Sequence, residues 1–256
     1  MRQRRETVKS FSSAFGRVLM QARVETLRKI ESKYQPKKAA TGVDANAVIK
    51  TAAADLLFSI SDFTKLFTST MRKQQEAALD KSGTQLFAEL GKDDPFNFAP
   101  PEVQAFLDDR KNKLAGVPDS IFEKIRATLQ EGIDAGDPTA DLAARVKAEF
   151  NSLGATESMR IAQTETSAAY GYGRQAAMVK AGVRYKAWLT SGNANVREAH
   201  QLAGLSYPVD GGIPVDEPFI VDGEELMHPG DSAGSPGNVI NCHCVSIAVK
   251  APEDAS

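Results

Sequence analysis

All three histidines and both cysteines of this 256-residue chain fall between His200 and Cys244. The surrounding stretch, Glu198 to Val249, has no lysine or arginine and is dense in Asp, Gly and Pro. It reads Glu198-Ala199-His200 at one end, Met227-His228-Pro229-Gly230-Asp231 in the middle and Asn241-Cys242-His243-Cys244 at the other. His, Cys and Asp are the side chains that ligate metals and move protons, so any chemistry is expected here. In an extended segment Cys242 and Cys244 share a face roughly 6 to 7 Å apart, while His243 points away. The two sulfurs can then share a metal. Zinc needs two further ligands, for which His200 and His228 are the best offers and Asp231 the next. The alternative is a pair of buried thiols packed as small hydrophobes. A relaxed disulfide between them is disfavoured, because a one-residue spacing closes too tight a loop.

Other polar pairs have two readings each. Arg197 and His200 are three apart on an expected short helix beginning at Asn193 or Asn195. They face one side and suit a phosphate, a carboxylate or a buried polar network. Arg160 and Glu165 are five apart and poor helical neighbours, so each is expected to find its partner elsewhere. An internal ion pair of an arginine with Glu165 or Asp231 is the better reading. His228, Asn238 and His243 follow the order of His-Asn-His metal-dependent nucleases, with spacings that are too short and no helix between the last two. No Gly-x-Ser-x-Gly elbow, phosphate-cradling glycine loop or His-Glu-x-x-His occurs, which disfavours a conventional hydrolase or nucleotide enzyme.

The elements that must position these residues divide the chain in two. Met1 to Lys38 carries eleven Lys/Arg against three Glu. Val8, Phe11, Phe15, Val18 and Ala22 recur there at spacings of three and four, the stripe of an amphipathic helix. Its apolar face needs a surface, on a partner or on its own bundle, and its basic face favours an acidic one, DNA or protein. After a break at Pro36 to Gly42, a helix is expected from about Asn46 to Leu90, with Ile49, Leu56, Ile60, Phe63 and Phe67 on its core face. Gly91 to Pro101 ends it. Further helices are expected over Glu102 to Ala115, from Asp119 or Ser120 to Gly132, from Asp137-Pro138 through Phe150, and over Thr156 to Gly182. Strands are then expected at Arg184 to Thr190, at Pro218 to Leu226 with an Asp222-Gly223 hairpin turn, and at Val239 to Val249. The fold class is α+β. An all-helical region over 1–150 precedes a small α+β module over 151–256, with short antiparallel strands and long loops.

The formal net charge of −2 and ordinary hydrophobic and charged fractions exclude a bulk polyanion binder. No window approaches a membrane span and no apolar signal core follows the basic start, so the chain is expected to be made and assembled in the cytoplasm.

The ordered blocks Arg160…Thr164-Glu165, Lys186-Ala187-Trp188, Arg197-x-x-His200 with Gly204, Pro229-Gly230-Asp231 and Asn241-Cys242-His243-Cys244 resemble the phage Mu F-like minor head proteins, also called phage head morphogenesis proteins. The resemblance covers about Thr156 to Val249. Where the family pattern has an acidic and a basic residue ahead of the Arg-x-x-His block, this chain has Asn193, Ala194 and Asn195. The resemblance implies a structural virion component assembled in the bacterial host and associated with the portal vertex. Such a part acts in capsid assembly, DNA packaging or DNA ejection. It implies partners among the portal and other head proteins, and no catalytic activity follows from it; DNA is a further expected partner through the charge of the basic N-terminal segment. Arg160, Glu165, His200, Asp231, Cys242 and Cys244 are expected to converge in space, and Trp188, Arg197 and Asn241 complete the polar cluster of the resemblance's motifs. A metal-dependent hydrolase or nuclease built on the His/Cys/Asp cluster is the alternative.

Overall fold

A computed structural model describes residues 2–34, 53–93 and 96–250. Helices come first, among them α1 (Arg2–Lys33), α2 (Ile60–Glu89), α3 (Pro100–Leu114), α4 (Val117–Asp134) and α5 (Thr139–Lys180). Then follow β1 (Tyr185–Leu189), α6 (Glu198–Ser206), β2 (Ile213–Pro214), β3 (Phe219–Val221), β4 (Glu224–Leu226), a short α7 (Pro236–Val239) and β5 (Val245–Val249). The expected α+β class, helices first and a small strand-bearing module last, is what the chain adopts. The Pro36 to Gly42 break and the expected helical residues 46–52 lie outside the described residues.

Several helix ends follow their local chemistry. Ser59 precedes α2, and its hydroxyl accepts the Asp62 N–H at 3.3 Å, as an N-cap does. Gly91 takes φ 67° after α2, and the Lys92 N–H returns to the Phe87 carbonyl. α4 starts at Val117, two residues earlier than expected, because Pro118 fits the first helical turn, where its missing N–H has no partner to lose. The expected break between Phe150 and Thr156 does not occur. α5 runs unbroken for 42 residues through Gly154. A helical glycine costs about 1 kcal/mol relative to alanine, too little to end a helix whose other residues are buried on one face.

The described chain falls into two compact units, one of Met1–Phe11, Arg72–Arg110 and Arg160–Ser256, the other of Ser12–Met71 and Lys111–Met159. This grouping differs from a linear cut at 150/151, because α1, α2 and α5 each supply residues to both units. In the second unit, Phe58 meets Phe63, Phe122 and Phe150 at ring-centroid distances of 5.0, 5.4 and 6.2 Å. Ile125, Leu129, Leu142 and Val146 are fully buried there. Each such side chain contributes about 1.5 to 3 kcal/mol by leaving water.

The apolar stripe of α1 also finds its surface within the chain. Val8, Phe11, Phe15 and Val18 are buried, so they are not available to an outside partner. α1 leaves much of its charge in solvent, including Arg5, Lys9, Arg17 and Arg28, together with Met20 and Val24 outside the buried stripe.

In the first unit, β1 is the centre of an antiparallel sheet ordered β2-β1-β5, with Trp188 opposite Ser246. β3 and β4 form the expected hairpin, and Asp222 and Gly223 both take positive φ at its turn. β1 is covered on both faces. Lys186, Ala187 and Trp188 are all buried, as in a strand covered on both sides. β5 is shorter than expected, since Pro236–Val239 is a helical turn and Asn241 has φ 57°.

Candidate metal centre

The cysteines sit where the turn after α7 enters β5. The left-handed backbone at Asn241 swings Cys242 inward, and Cys244 follows on the same side, while His243 is exposed. The expected alternation across this segment holds. Both thiols join a core of Trp188, Ala203, Phe219, Val221 and Leu226. α6 brings His200 to them from below Arg197, its N-cap. Nδ1 of His200 is 3.4 Å from Cys244 Sγ and 3.8 Å from Cys242 Sγ. The Trp188 ring meets the imidazole edge-on at 5.4 Å. The buried indole N–H of Trp188 favours a thiolate at Cys244.

The two thiols ionise unequally. A hydrogen bond from Cys244, with a further one from His200, holds Cys242 well below the usual thiol range. Cys244 is pushed up, because it donates to Cys242 and its own ionisation would bury a second anion beside the first.

Polar groups from distant segments fasten the loop from behind. The Arg4 guanidinium donates to the carbonyls of Cys242, His243 and Cys244 at 3.2, 3.0 and 2.9 Å and to the Ser167 hydroxyl. Gln163 Nε2 donates to the Cys242 carbonyl at 3.0 Å, and the Ser167 hydroxyl does so as well. The Asn241 N–H donates to the Thr164 hydroxyl at 3.0 Å, and Arg197 reaches the Ile240 carbonyl at 2.6 Å. The carbonyls of Ile240, Cys242, His243 and Cys244 are thereby hydrogen-bonded by side chains of α1, of α5 and of the N-cap of α6. His243 lines a cavity of about 290 Å³ together with Arg4, Tyr170 and Arg174.

The expected convergence is thus partial. His200, Cys242 and Cys244 form one group whose ligand atoms lie within 4.8 Å of one another, and no further His, Cys, Asp or Glu among the described residues joins it. His228 packs elsewhere, its Nδ1 3.2 Å from the Pro229 carbonyl and its ring edge-on to Tyr172. Burial depresses its pKa. Asp231 caps the intervening turn, accepting the Met227 and Ala233 N–H groups at 2.8 and 3.0 Å. Glu165 is buried in a bidentate pair with Arg110, at 2.5 and 3.0 Å, and also accepts from Gln75 at 2.8 Å. Arg160 lies on the exposed side of α5. The nuclease-like order fares worse still: Asn238 donates to the Val221 carbonyl and to Glu224, apart from both histidines.

Sequence reasoning did not single out Arg4, Arg110 or Gln163, and named Lys186 only within the Lys186-Ala187-Trp188 block, without a role. Lys186 Nζ is buried between the Met227 carbonyl at 2.8 Å and Gln175 Oε1 at 3.2 Å, above the Phe219 ring. Desolvation pulls its pKa down to about 8. The signal was present only as a lysine between apolar residues of a strand. Arg4 was hidden among the many charges of α1.

The model of the family described as phage Mu protein F like protein matches residues 123–247. That span starts within α4 and ends within β5, so it includes the whole Cys/His group and leaves out Arg4 and Arg110. No curated protein and no solved structure matches the chain.

Proposed function

Residues 123–247, just under half of the chain, belong to the phage Mu protein F like family, and from this premise we propose that the protein is a minor head protein of a bacteriophage. In this reading it is a virion component, assembled in the host cytoplasm, that joins the portal and other head proteins and acts in capsid assembly, DNA packaging or DNA ejection. The family match is the observation that carries the proposal.

The chemistry of the candidate site favours a structural role over a catalytic one. A hydrolase built on the Cys/His group needs a nearby carboxylate or a second imidazole as general base. Glu165 is committed to Arg110 and Gln75, and Asp231 to two backbone amides. The exposed basic residues of α1 support contact with an acidic surface, DNA or protein, through charge. Since the apolar stripe of that helix is buried in the chain, this contact is expected to weaken steeply with added salt.

The test is deletion of the gene from its phage. Loss of viable particles, or of packaged DNA or its delivery, restored by the chain supplied in trans, is the expected result. Normal head yield, DNA content and infectivity without the chain would overturn the proposal.

A further inference from the structure

We propose that Cys242, Cys244 and His200 bind a zinc ion. Nδ1 of the histidine lies 3.4 and 3.8 Å from the two sulfurs. A tetrahedral zinc with Zn–S near 2.3 Å and Zn–N near 2.0 to 2.1 Å spaces sulfur and nitrogen ligands about 3.6 Å apart. The observed separations bracket that edge length, and all three side chains are buried.

Donation from both Cys244 and His200 to Cys242 leaves part of the arrangement unexplained, since Nδ1 lies nearer to Cys244 Sγ than to Cys242 Sγ. One ring nitrogen carries either a single proton or a single lone pair, so it satisfies one sulfur along its axis and not two. Both sulfurs nevertheless converge on Nδ1. A cation between the three atoms serves all of them. Two thiolates and an imidazole are soft and borderline donors, which select zinc over magnesium or calcium. Zn²⁺ enters as the two thiol protons leave, so two thiolates, one dication and a neutral imidazole make a centre of zero net charge. A buried site favours that balance.

The protein holds the donors in place without help from the metal. Arg4, Gln163 and Ser167 fix the carbonyls on either side of the sulfurs, and the Asn241 N–H is tied to Thr164. The ion would clip α6 to the loop before β5, closing a segment of more than forty residues that contains the β3–β4 hairpin. Three side chains leave the fourth coordination position to a ligand from outside the group.

The experiment uses the full chain, prepared without chelator. Elemental analysis is expected to find about one zinc per chain, and chelation to lower Tm by roughly 5 °C or more. Cobalt substituted for zinc is expected to give thiolate-to-cobalt charge-transfer bands and intense tetrahedral visible absorption. Cys244→Ser and His200→Gln should lose at least tenfold in zinc affinity, measured against a chromophoric chelator, whereas His200→Cys should retain the metal through a third thiolate. If the variants fail to fold, the cobalt spectrum and zinc competition of the unaltered chain decide alone. Less than about one tenth of a zinc per chain after reconstitution, with no cobalt–thiolate bands, would overturn the proposal. Zinc content and role in the particle are independent: either claim survives failure of the other.

Discussion

Glu165→Ala would leave the Arg110 guanidinium buried without its counter-charge. The two side chains are 1% and 6% exposed, and the pair is bidentate. The substitution removes both of these bonds and a third from Gln75. Asp109 also lies 3.9 Å from Arg110, but its carboxylate is solvated and compensates weakly. Breaking a buried ion pair from one side costs about 3 to 5 kcal/mol, because the remaining charge keeps its desolvation penalty. At about 2 to 4 °C per kcal/mol for a chain of this size, Tm is expected to fall by roughly 6 to 20 °C. Urea unfolding of the full chain should show a matching loss. Replacing both partners with Met removes both buried charges together, and that double variant should recover most of the loss, with a coupling of at least about 2 kcal/mol. A single variant that costs less than about 1 kcal/mol, or a double variant that costs the sum of the two singles, would refute the reasoning.

Two further perturbations test packing and charge. Lys186 titrates near 8 when folded against 10.5 when free, so between these values the unfolded chain holds a proton that the folded chain has released. Stability should therefore rise as pH increases from about 8 towards 10, by at most about 3 kcal/mol, and Lys186→Met should flatten that rise in urea midpoints taken at each pH. Cys244, Tyr170 and Tyr172, all raised in the folded chain, act in the opposite direction, the thiol above about 9 and the phenols above about 10. The lowered Cys242 adds to the rise below about 9, so the difference between the unaltered chain and Lys186→Met is what isolates the lysine. Gly171→Ala in an open helix would stabilise by about 1 kcal/mol, but here a Cβ would stand 2.3 Å from the Pro229 carbonyl and 2.4 Å from His228 Nδ1. A net loss of stability is expected in thermal unfolding, and an unchanged or higher Tm would mean that this close approach is not maintained.

How much of this was legible depended on the range of the interaction. Strand alternation alone put Cys242 and Cys244 on one side and His243 on the other, and a helix start near Asn195 brought His200 into play. Asp222-Gly223 gave the hairpin because only residues tolerant of positive φ close such a turn. His228 is as good a ligand by type as His200, and nothing local distinguishes them. The difference arises because Gly230, at φ 80°, lets its loop approach the backbone of α5 at Ser167 and Ala168, which carries His228 onto Gly171 instead. Arg4 reaches the cysteine loop across nearly the whole length of the chain, and Arg110 reaches Glu165 across 55 residues. No periodicity or spacing reports a pairing of that kind. The same blindness left open whether the apolar face of α1 meets a partner or its own bundle, and the chain buries it itself.

The claim that this chain is a head component is tested most directly by quantitative mass spectrometry of gradient-purified particles from a phage that encodes it. The expected result is peptides from across the chain, at a fixed low ratio to the major capsid protein, in filled particles that also contain the portal protein. Particles of full infectivity in which the chain is absent, while it is present in the host lysate, would contradict the account.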